Sequence, residues 1–341
     1  MYKRFLAALL VMFQALVFAP AAFAAPANKA LNAAIVFNRN VQGIDDKSFI
    51  AAVKSGAERA KEELRIPLKI YSQNSSESDR EFLSAVAEDN NDIIIGMSFS
   101  DTAPLLDMAE KYPNVKFMVI DGVLPPFYIN AKSNIFREHE GSFLVGMLAA
   151  LKSKTNKIGF IGGRDLPLIR NFGHGYSQGA KYINPDIQIN EEYIGNSFEA
   201  WDQPDQAEAM ANALFDAEVD IIFAAAGASG LGVLKAASQR EDAYAIGVDS
   251  NQNYLYPGHV LTSMVKRIDN AIYEALKDAK NGKWEPGILN LGLKEKGLDY
   301  SIDQHNKHLF TAQHIETVEQ ARSKIIDGTL IVKMYSSVNN H

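Results

Sequence analysis

The chain has 341 residues, of which 47% are apolar, and its 34 Lys and Arg against 41 Asp and Glu give a formal net charge of −7 at pH 7. This acidic balance argues against a nucleic-acid-binding protein, which needs a basic surface to neutralise phosphates. The absence of cysteine excludes disulfides, thiolate metal sites and cysteine nucleophiles, and the length favours two domains over one.

Residues 1–24 have the layout of a secretory signal peptide. Lys3 and Arg4 precede an apolar run that ends at Pro20, and small residues allow cleavage after Ala24. The run is shorter than the roughly 20 residues of a membrane-spanning helix. Because the chain also lacks the cysteine that anchors bacterial lipoproteins, we expect the mature protein to be released into the periplasm without a lipid anchor.

After this segment, short apolar runs rich in β-branched residues alternate with longer stretches of helical periodicity. We predict strands at 33–37, 68–71, 93–95, 117–120, 158–161, 187–190, 221–224, 244–248 and 260–263, an extended crossing at 134–137 and a strand-like segment at 288–293. We predict helices at 47–64, 77–88, 103–111, 138–151, 168–182, 204–215, 229–238 and 267–281. Such alternation is typical of βαβ units and parallel sheets.

The elements divide into two sets, residues 32–130 and 157–261, which predicts an α/β fold of two doubly wound parallel-sheet lobes. The segment after the second set would return to the first lobe, so that several crossing strands form a hinge beside the cleft. We assign residues 25–134 plus approximately 264–293 to the N-terminal lobe, 135–263 to the C-terminal lobe, and 294–341 to a C-terminal extension that packs on the lobes.

Polar, glycine-containing loops follow the predicted strands, at the carboxyl ends where open α/β sheets bind ligands. The loops lie at 38–49, 96–101, 121–122, 225–232 and 247–252. In the first loop the candidate ligand residues are Asn38 and Asp46. Asp121 and Asp249 end equivalent strands of the two half-sheets, and carboxylates accept hydrogen bonds from the paired hydroxyls of a sugar. A solvated turn would also accept these aspartates. Lys266 follows the strand at 260–263 and could donate to a ligand hydroxyl, although a solvated surface lysine would have the same pattern.

Several aromatic residues lie in polar loops instead of periodic apolar stripes, namely Phe49, Phe99, Phe198 and Trp201. Two rings that face each other across a cleft would clamp a planar heterocycle by stacking. Gly227 lies in the glycine-rich fourth loop, where it would allow close approach of a ligand. The spacing of that loop matches neither a dinucleotide-binding motif, nor a P-loop, nor a nucleophile elbow.

Catalytic and metal-binding constellations are poor in this sequence. His139 and Glu140 begin no zinc motif, and His174 has no second ligand nearby. Asp45 and Asp46 are adjacent, so both cannot point at one ligand, and we expect one of them to cap the following helix. We therefore predict that the protein is not an enzyme and has no metal site and no cofactor.

Six segments share one family pattern. They are GIDDKSF at 43–49, EGSFLVG at 140–146 with the alanines at 149–150, the glycine pair at 162–163, GNSF at 195–198, the glycine-rich loop at 226–232, and GVDS at 247–250. In this order they resemble the basic membrane protein family of ABC-transporter substrate-binding proteins. The similarity extends from about residue 33 to 293.

The resemblance implies a periplasmic-binding fold of type I whose lobes close on a purine nucleoside or related solute. It also implies delivery to an inner-membrane ABC permease with its ATPase. Two phenylalanines stack the base in the family, and they correspond to Phe49 and Phe198. Carboxylates and a lysine hold the ribose, and they correspond to Asp121 or Asp249 and to Lys266.

The chain departs from the family pattern around the expected ligand. Ile50 replaces an asparagine after the first phenylalanine, Asn38 replaces an aspartate after the first strand, and Asn251 replaces a second aspartate. Trp201 adds an aromatic side chain near the predicted clamp. The clamp remains, but the choice of base, and of nucleoside against free base, stays open.

The predicted function is a monomeric periplasmic substrate-binding protein of an ABC importer, with a nucleoside, preferably a purine nucleoside, or a nucleobase-like solute as ligand. One alternative is a receptor for another small polar solute such as a sugar. A second is a nucleoside-processing enzyme such as a hydrolase. A third is a subunit whose closed form signals to a chemoreceptor.

Overall fold

The computed structural model describes residues 31–37, 44–74, 76–97 and 102–336. The predicted signal at 1–24 and two of the predicted ligand residues, Asn38 and Phe99, lie outside the described residues. Within the described ranges, no helix is long and apolar enough to cross a membrane.

Strands and helices alternate along most of the chain. The strands are β1 Ala33–Phe37, β2 Leu68–Ser72, β3 Ile93–Gly96, β4 Lys116–Ile120, β5 Ala131–Phe136, β6 Lys157–Arg164, β7 Gln188–Gly195, β8 Ile221–Ala225, β9 Tyr244–Asp249, β10 Val260–Lys266, β11 Gly287–Leu291 and β12 Leu298–Tyr300. The helices are α1 Phe49–Glu63, α2 Asp79–Glu88, α3 Thr102–Lys111, α4 Glu138–Lys152, α5 Pro167–Ile183, α6 Pro204–Asp216, α7 Gly230–Ser238, α8 Ile268–Lys280 and α9 Ala312–Ile326.

The strands form two sheets. The first sheet has the order β11-β5-β4-β3-β1-β2, and the second has the order β12-β10-β9-β8-β6-β7. Neighbouring strands are parallel throughout the first sheet. In the second sheet only β12 is antiparallel, at the edge beside β10. The chain therefore builds two α/β lobes, as the alternation predicts.

Both faces of each sheet are covered by helices, which explains why the central strands are continuous apolar runs. In β1, Ile35 packs with residues of α1 and α8, whereas Val36 packs with residues of α2 and α3. In the second sheet, Phe160 belongs to the face under α4 and α5, and Ile161 belongs to the face under α6 and α7. The apolar cluster that contains both Ile35 and Phe160 extends across both sheets.

The chain crosses between the sheets near Arg137, near Arg267, and between β11 and β12. Backbone hydrogen bonds join these crossings to one another: the N–H of Arg137 donates to Leu291 O at 3.0 Å, and the N–H of Arg267 donates to Gly297 O at 2.9 Å. The Leu293 N–H donates to a Glu140 carboxylate oxygen at 2.8 Å. The three crossings therefore form one hydrogen-bonded cluster between the sheets.

One strand differs from the sequence prediction in a way that matters for the site. The predicted strand at 260–263 continues to Lys266, whose side chain is 2% exposed. Lysine is almost never fully buried unless it is paired, which makes a lysine inside a buried strand unusual. The buried ion pairs of Lys266 allow β10 to include it.

Candidate ligand-binding site

Two aspartates stand at the carboxyl ends of strands from different sheets. Asp121 directly follows β4, and Asp249 is the last residue of β9. Their backbone φ angles are 60° and 63°, in the left-handed region that few residues other than glycine adopt. A side-chain hydrogen bond supports the loop that follows Asp249, since Gln252 Oε1 accepts the Val248 N–H at 2.9 Å. Such strain persists where surrounding contacts impose it, often at functional sites.

Lys266 connects these strand ends. Its ammonium lies 2.7 Å from Asp121 Oδ2, which belongs to the first sheet, and 2.9 Å from Glu138 Oε1, at the start of α4. All three side chains are almost completely buried. Burial by itself lowers the pKa of Lys266, but the charges of Asp121, Glu138 and Asp249 outweigh it, so the pKa is raised and the ammonium stays charged. We call Lys266, Asp121, Glu138 and Asp249 the charged cluster.

Two carboxyl groups of the charged cluster titrate close to neutral pH. Burial raises the pKa of Glu138 to about 7, and the attraction of Lys266 only partly opposes it. Burial likewise raises the pKa of Asp249 to about 6, against the effects of Lys266 and of a hydrogen bond from Ser48. Asp121 Oδ1 and Glu138 Oε2 are buried and have no hydrogen-bond partner among the described residues. The charged cluster thus has more hydrogen-bond acceptor oxygens than its own donors satisfy.

Ser48, just before α1, makes a second connection between the sheets. Its hydroxyl lies 2.9 Å from Asp249 Oδ2 and 3.2 Å from Val248 O, and its carbonyl accepts the Ser250 hydroxyl at 2.7 Å. Ser48 is buried. The start of α1 and the end of β9 therefore meet where the charged cluster lies.

Asp46 caps α1. Its carboxylate accepts the backbone N–H groups of Ser48 at 2.9 Å, Ile50 at 2.9 Å and Ala51 at 3.1 Å. This confirms that one aspartate of the pair caps the helix; Asp45 is exposed and pairs with Lys47. Burial raises the pKa of Asp46, although the three N–H groups oppose the increase. The backbone thus uses both carboxylate oxygens of this predicted ligand residue.

The predicted aromatic clamp is divided between the two sheets. Phe49 is the first residue of α1 and is partly buried, beside Ser48. Phe198 begins a short 3-10 turn, Phe198–Trp201, that follows β7, and is 39% exposed. Ile50 packs against the apolar cluster beside Phe49.

Trp201 closes the same turn and packs on the second sheet. A Cβ added at Gly163 would lie 2.4 Å from Trp201 Cζ3, so only glycine leaves room for the indole ring. Gly227 has a φ of +60° and lies close to the Trp201 carbonyl, so both its conformation and its surroundings favour glycine. These contacts give Trp201 a packing role at the carboxyl end of β6.

Some site residues were not predicted from the sequence. Glu138 gave no signal, because an acidic residue at the start of a helix is ordinary, and neither did Ser48, because serine is common before a helix. Phe136 and Phe172 lie with their ring centroids 4.8 and 5.7 Å from Lys266 Nζ, but both looked like core residues. Asn251, where the family has aspartate, donates to Asp303 at 2.8 Å.

Comparisons with known proteins show the family of this chain. Residues 34–336 match the family model Bmp, described as ABC transporter substrate-binding protein PnrA-like. Basic membrane protein A of Borreliella burgdorferi is 35% identical over 295 residues, which cover 84% of each chain. An uncharacterized lipoprotein of Pyrococcus abyssi is 32% identical over 285 residues, covering 80% of this chain and 69% of that protein.

Solved structures agree as well. A crystal structure of ABC transporter system solute-binding proteins from Aeropyrum pernix K1 gives a TM-score of 0.81 at 26% identity and covers 90% of this chain and 94% of that chain. An ABC transporter solute-binding protein from Conexibacter woesei shares the fold, with a TM-score of 0.72 at 20% identity. The type I periplasmic-binding fold predicted from the resemblance is thus confirmed. The chain belongs to the Bmp family of PnrA-like ABC transporter substrate-binding proteins, and it is a solute-binding protein, not an enzyme.

Proposed function

We propose that this protein binds a nucleoside, preferably a purine nucleoside, between its lobes and delivers it to an inner-membrane ABC permease with its ATPase. The observation that carries the proposal is the charged cluster, in which Lys266 of the second sheet pairs with Asp121 of the first at 2.7 Å. We also propose that the protein is a monomer. It would work in the periplasm, as the signal-like segment at 1–24 predicts.

The charged cluster has the chemistry that a ribose requires. Each ribose hydroxyl donates one hydrogen bond and accepts others, so a diol is best satisfied by an ammonium together with carboxylates. Lys266 supplies N–H donors, and Asp121 and Asp249 supply acceptors at the two strand ends. A cluster of this kind is charged, buried and placed at the carboxyl ends of strands, where α/β sheets bind ligands.

The base would bind between Phe49 and Phe198, which lie at the start of α1 and after β7. Phe198 is 39% exposed, and stacking on a planar base would remove much of that apolar surface from water. Ile50, which packs against the same apolar cluster as Phe49, cannot hydrogen-bond a base edge through its side chain. We therefore propose that stacking contributes more than edge contacts to the recognition of the base.

Delivery requires the lobes to close on the ligand. We place the hinge at the three crossings, near Arg137, near Arg267 and between β11 and β12, where the chain passes between the sheets. The Lys266–Asp121 and Ser48–Asp249 contacts join the sheets and would favour the closed state. A ligand that completes these contacts shifts the population toward closure, which the permease then recognises.

A receptor for a sugar is the second candidate, because the charged cluster would also satisfy the hydroxyls of a pentose or hexose. The two candidates differ in what the aromatic residues contribute. A ligand without a planar ring would make Phe49→Ala and Phe198→Ala nearly neutral for affinity, whereas a nucleoside would not.

The test begins with mass spectrometry of the small molecule released when the purified protein is denatured. Calorimetric titration of the ligand-free protein with purine and pyrimidine nucleosides, free bases and pentoses follows. We expect a purine nucleoside to bind in the micromolar range or tighter and to be recovered intact after prolonged incubation. Binding of a pentose with no binding of any nucleoside would refute the proposed ligand.

A further inference from the structure

We infer that Glu138 is a positioning residue that holds the Lys266 ammonium, so that one N–H of Lys266 is left for a ligand hydroxyl. The inference rests on the proposed function, because it assigns Glu138 a part in the same site. Glu138 is completely buried, and its Oε1 lies 2.9 Å from Lys266 Nζ.

Glu138 and Lys266 belong to the same packed unit, whereas Asp121 does not. Glu138 begins α4, which packs on β10 so closely that a Cβ added at Gly141 would lie 2.8 Å from Met264 Sδ. Asp121 follows β4 of the first sheet. If the sheets separate, the pair of Lys266 with Asp121 breaks and the pair with Glu138 persists. Glu138 therefore fixes the ammonium in the open state as well as the closed one.

The number of donors leaves a place for the ligand. An ammonium has three N–H donors, and among the described residues Asp121 and Glu138 use two of them, at 2.7 and 2.9 Å. The rings of Phe136 and Phe172 lie 4.8 and 5.7 Å from Nζ and flank the ammonium. The two carboxylates and the two rings restrict the orientation of the ammonium. The direction of its remaining N–H is therefore set before a ligand binds.

Stability does not explain a carboxyl group in this position. A buried ion pair is often no better for stability than apolar side chains of similar volume, because both ions lose their hydration. Glu138 Oε2 has no hydrogen-bond partner among the described residues, which adds to the cost of burial. The first turn of a helix favours a carboxylate only modestly. A role in holding Lys266 accounts for the residue where stability does not.

Two variants of equal length separate positioning from packing. Glu138→Gln keeps an oxygen that accepts from the ammonium, and Glu138→Met fills the same space without an acceptor. Inosine and 2′,3′-dideoxyinosine are titrated calorimetrically into wild type and both variants. We expect Glu138→Met to weaken the binding of inosine about tenfold or more. The binding of dideoxyinosine should weaken less than about threefold. Glu138→Gln should stay within about threefold of wild type for both. An equal loss for the two ligands in Glu138→Met, or no loss for either, would overturn the inference.

A second measurement needs no ligand. In protein labelled with ¹⁵N-lysine, the Lys266 ammonium is assigned by the signal that disappears in Lys266→Met. We expect it to be retained in Glu138→Gln, whereas in Glu138→Met its hydrogens should exchange with water at least about tenfold faster. Unchanged exchange in Glu138→Met overturns the inference whatever the ligand.

These measurements distinguish the two proposals. If wild type binds no nucleoside, the proposed function fails, and hydrogen exchange still decides whether Glu138 holds Lys266. Should Glu138→Met not fold, Glu138→Asp replaces it in both measurements with the same expectations, because it withdraws the carboxylate from the ammonium by one methylene.

Discussion

Replacing Glu138 with glutamine should stabilise the folded protein at alkaline pH and have little effect at acidic pH. Glu138 is completely buried, and burial raises its pKa from an ordinary value of 4.5 to about 7. The protonated side chain therefore favours the folded state. This contribution to the free energy of unfolding is fully present below about pH 4.5 and is lost as the pH rises through about 7. Glutamine resembles the protonated acid at every pH, so the variant avoids this loss.

The expected magnitude follows from the two pKa values. One pKa unit corresponds to 1.36 kcal/mol, so moving from 4.5 to about 7 costs the wild-type protein about 3 kcal/mol once Glu138 is ionised in both states. At about pH 8.5 the free energy of unfolding of Glu138→Gln should exceed that of wild type by up to about 3 kcal/mol. At about pH 4.5 the two proteins should differ by less than about 1 kcal/mol.

The assay is urea denaturation followed by tryptophan fluorescence, repeated across this pH range. The matched control is Glu316→Gln, a substitution at an exposed position of α9, which should follow the wild-type pH dependence. A Glu138→Gln protein that is less stable than wild type at all pH values would refute the reasoning. So would a gain in stability that does not change with pH.

Three further predictions concern binding and packing. Asp249→Ala should weaken nucleoside binding by about 2 kcal/mol or more, because ligand hydroxyls lose an acceptor in a closed cleft; unchanged calorimetric affinity in a folded variant would remove Asp249 from the site. Phe49→Ala and Phe198→Ala should each weaken the binding of a purine nucleoside by about 1 kcal/mol or more and leave the binding of a pentose unaffected. Equal effects on the binding of both ligands would exclude stacking. Gly179→Ala should lower the free energy of unfolding by more than about 2 kcal/mol, because the new Cβ would lie 1.9 Å from a carbonyl oxygen of α4. Gly230→Ala, whose Cβ would have no neighbour closer than 3.5 Å, is the control and should be nearly neutral.

Most of the fold could be predicted because the central strands are buried on both faces. β1 and β3 are uninterrupted apolar runs, and the predicted bounds agree with the observed ones to within one residue. β12 has only three residues, and α9 buries only Val318 and Ala321, so neither has a pattern strong enough to recognise. The extended crossing predicted at 134–137 is the end of β5, a strand inside the first sheet.

The site was predictable only in part. Strand-end position predicted Asp121, Asp249 and Lys266 as candidates, and the structure brings Asp121 and Lys266 into direct contact. Glu138 and Ser48 were missed, because their types are common at helix starts and their partners are distant in sequence. Position along one chain does not reveal which helix start faces which strand end. The ligand roles of all the predicted site residues stay predictions, those of Asp121, Asp249 and Lys266 included.

The first turn of α4 connects the candidate ligand site with the proposed hinge. Glu138 holds the Lys266 ammonium, and two residues later Glu140 accepts the Leu293 N–H at 2.8 Å and pairs with Arg137 at 3.3 Å. Arg137 and Leu293 lie on two of the three crossings between the sheets. Under the proposed function, a ligand that draws Lys266 and Asp121 together would act on a helical turn that already contacts two crossings. The charged cluster would then be coupled to lobe closure through α4, because a packed helix transmits small displacements as a rigid body.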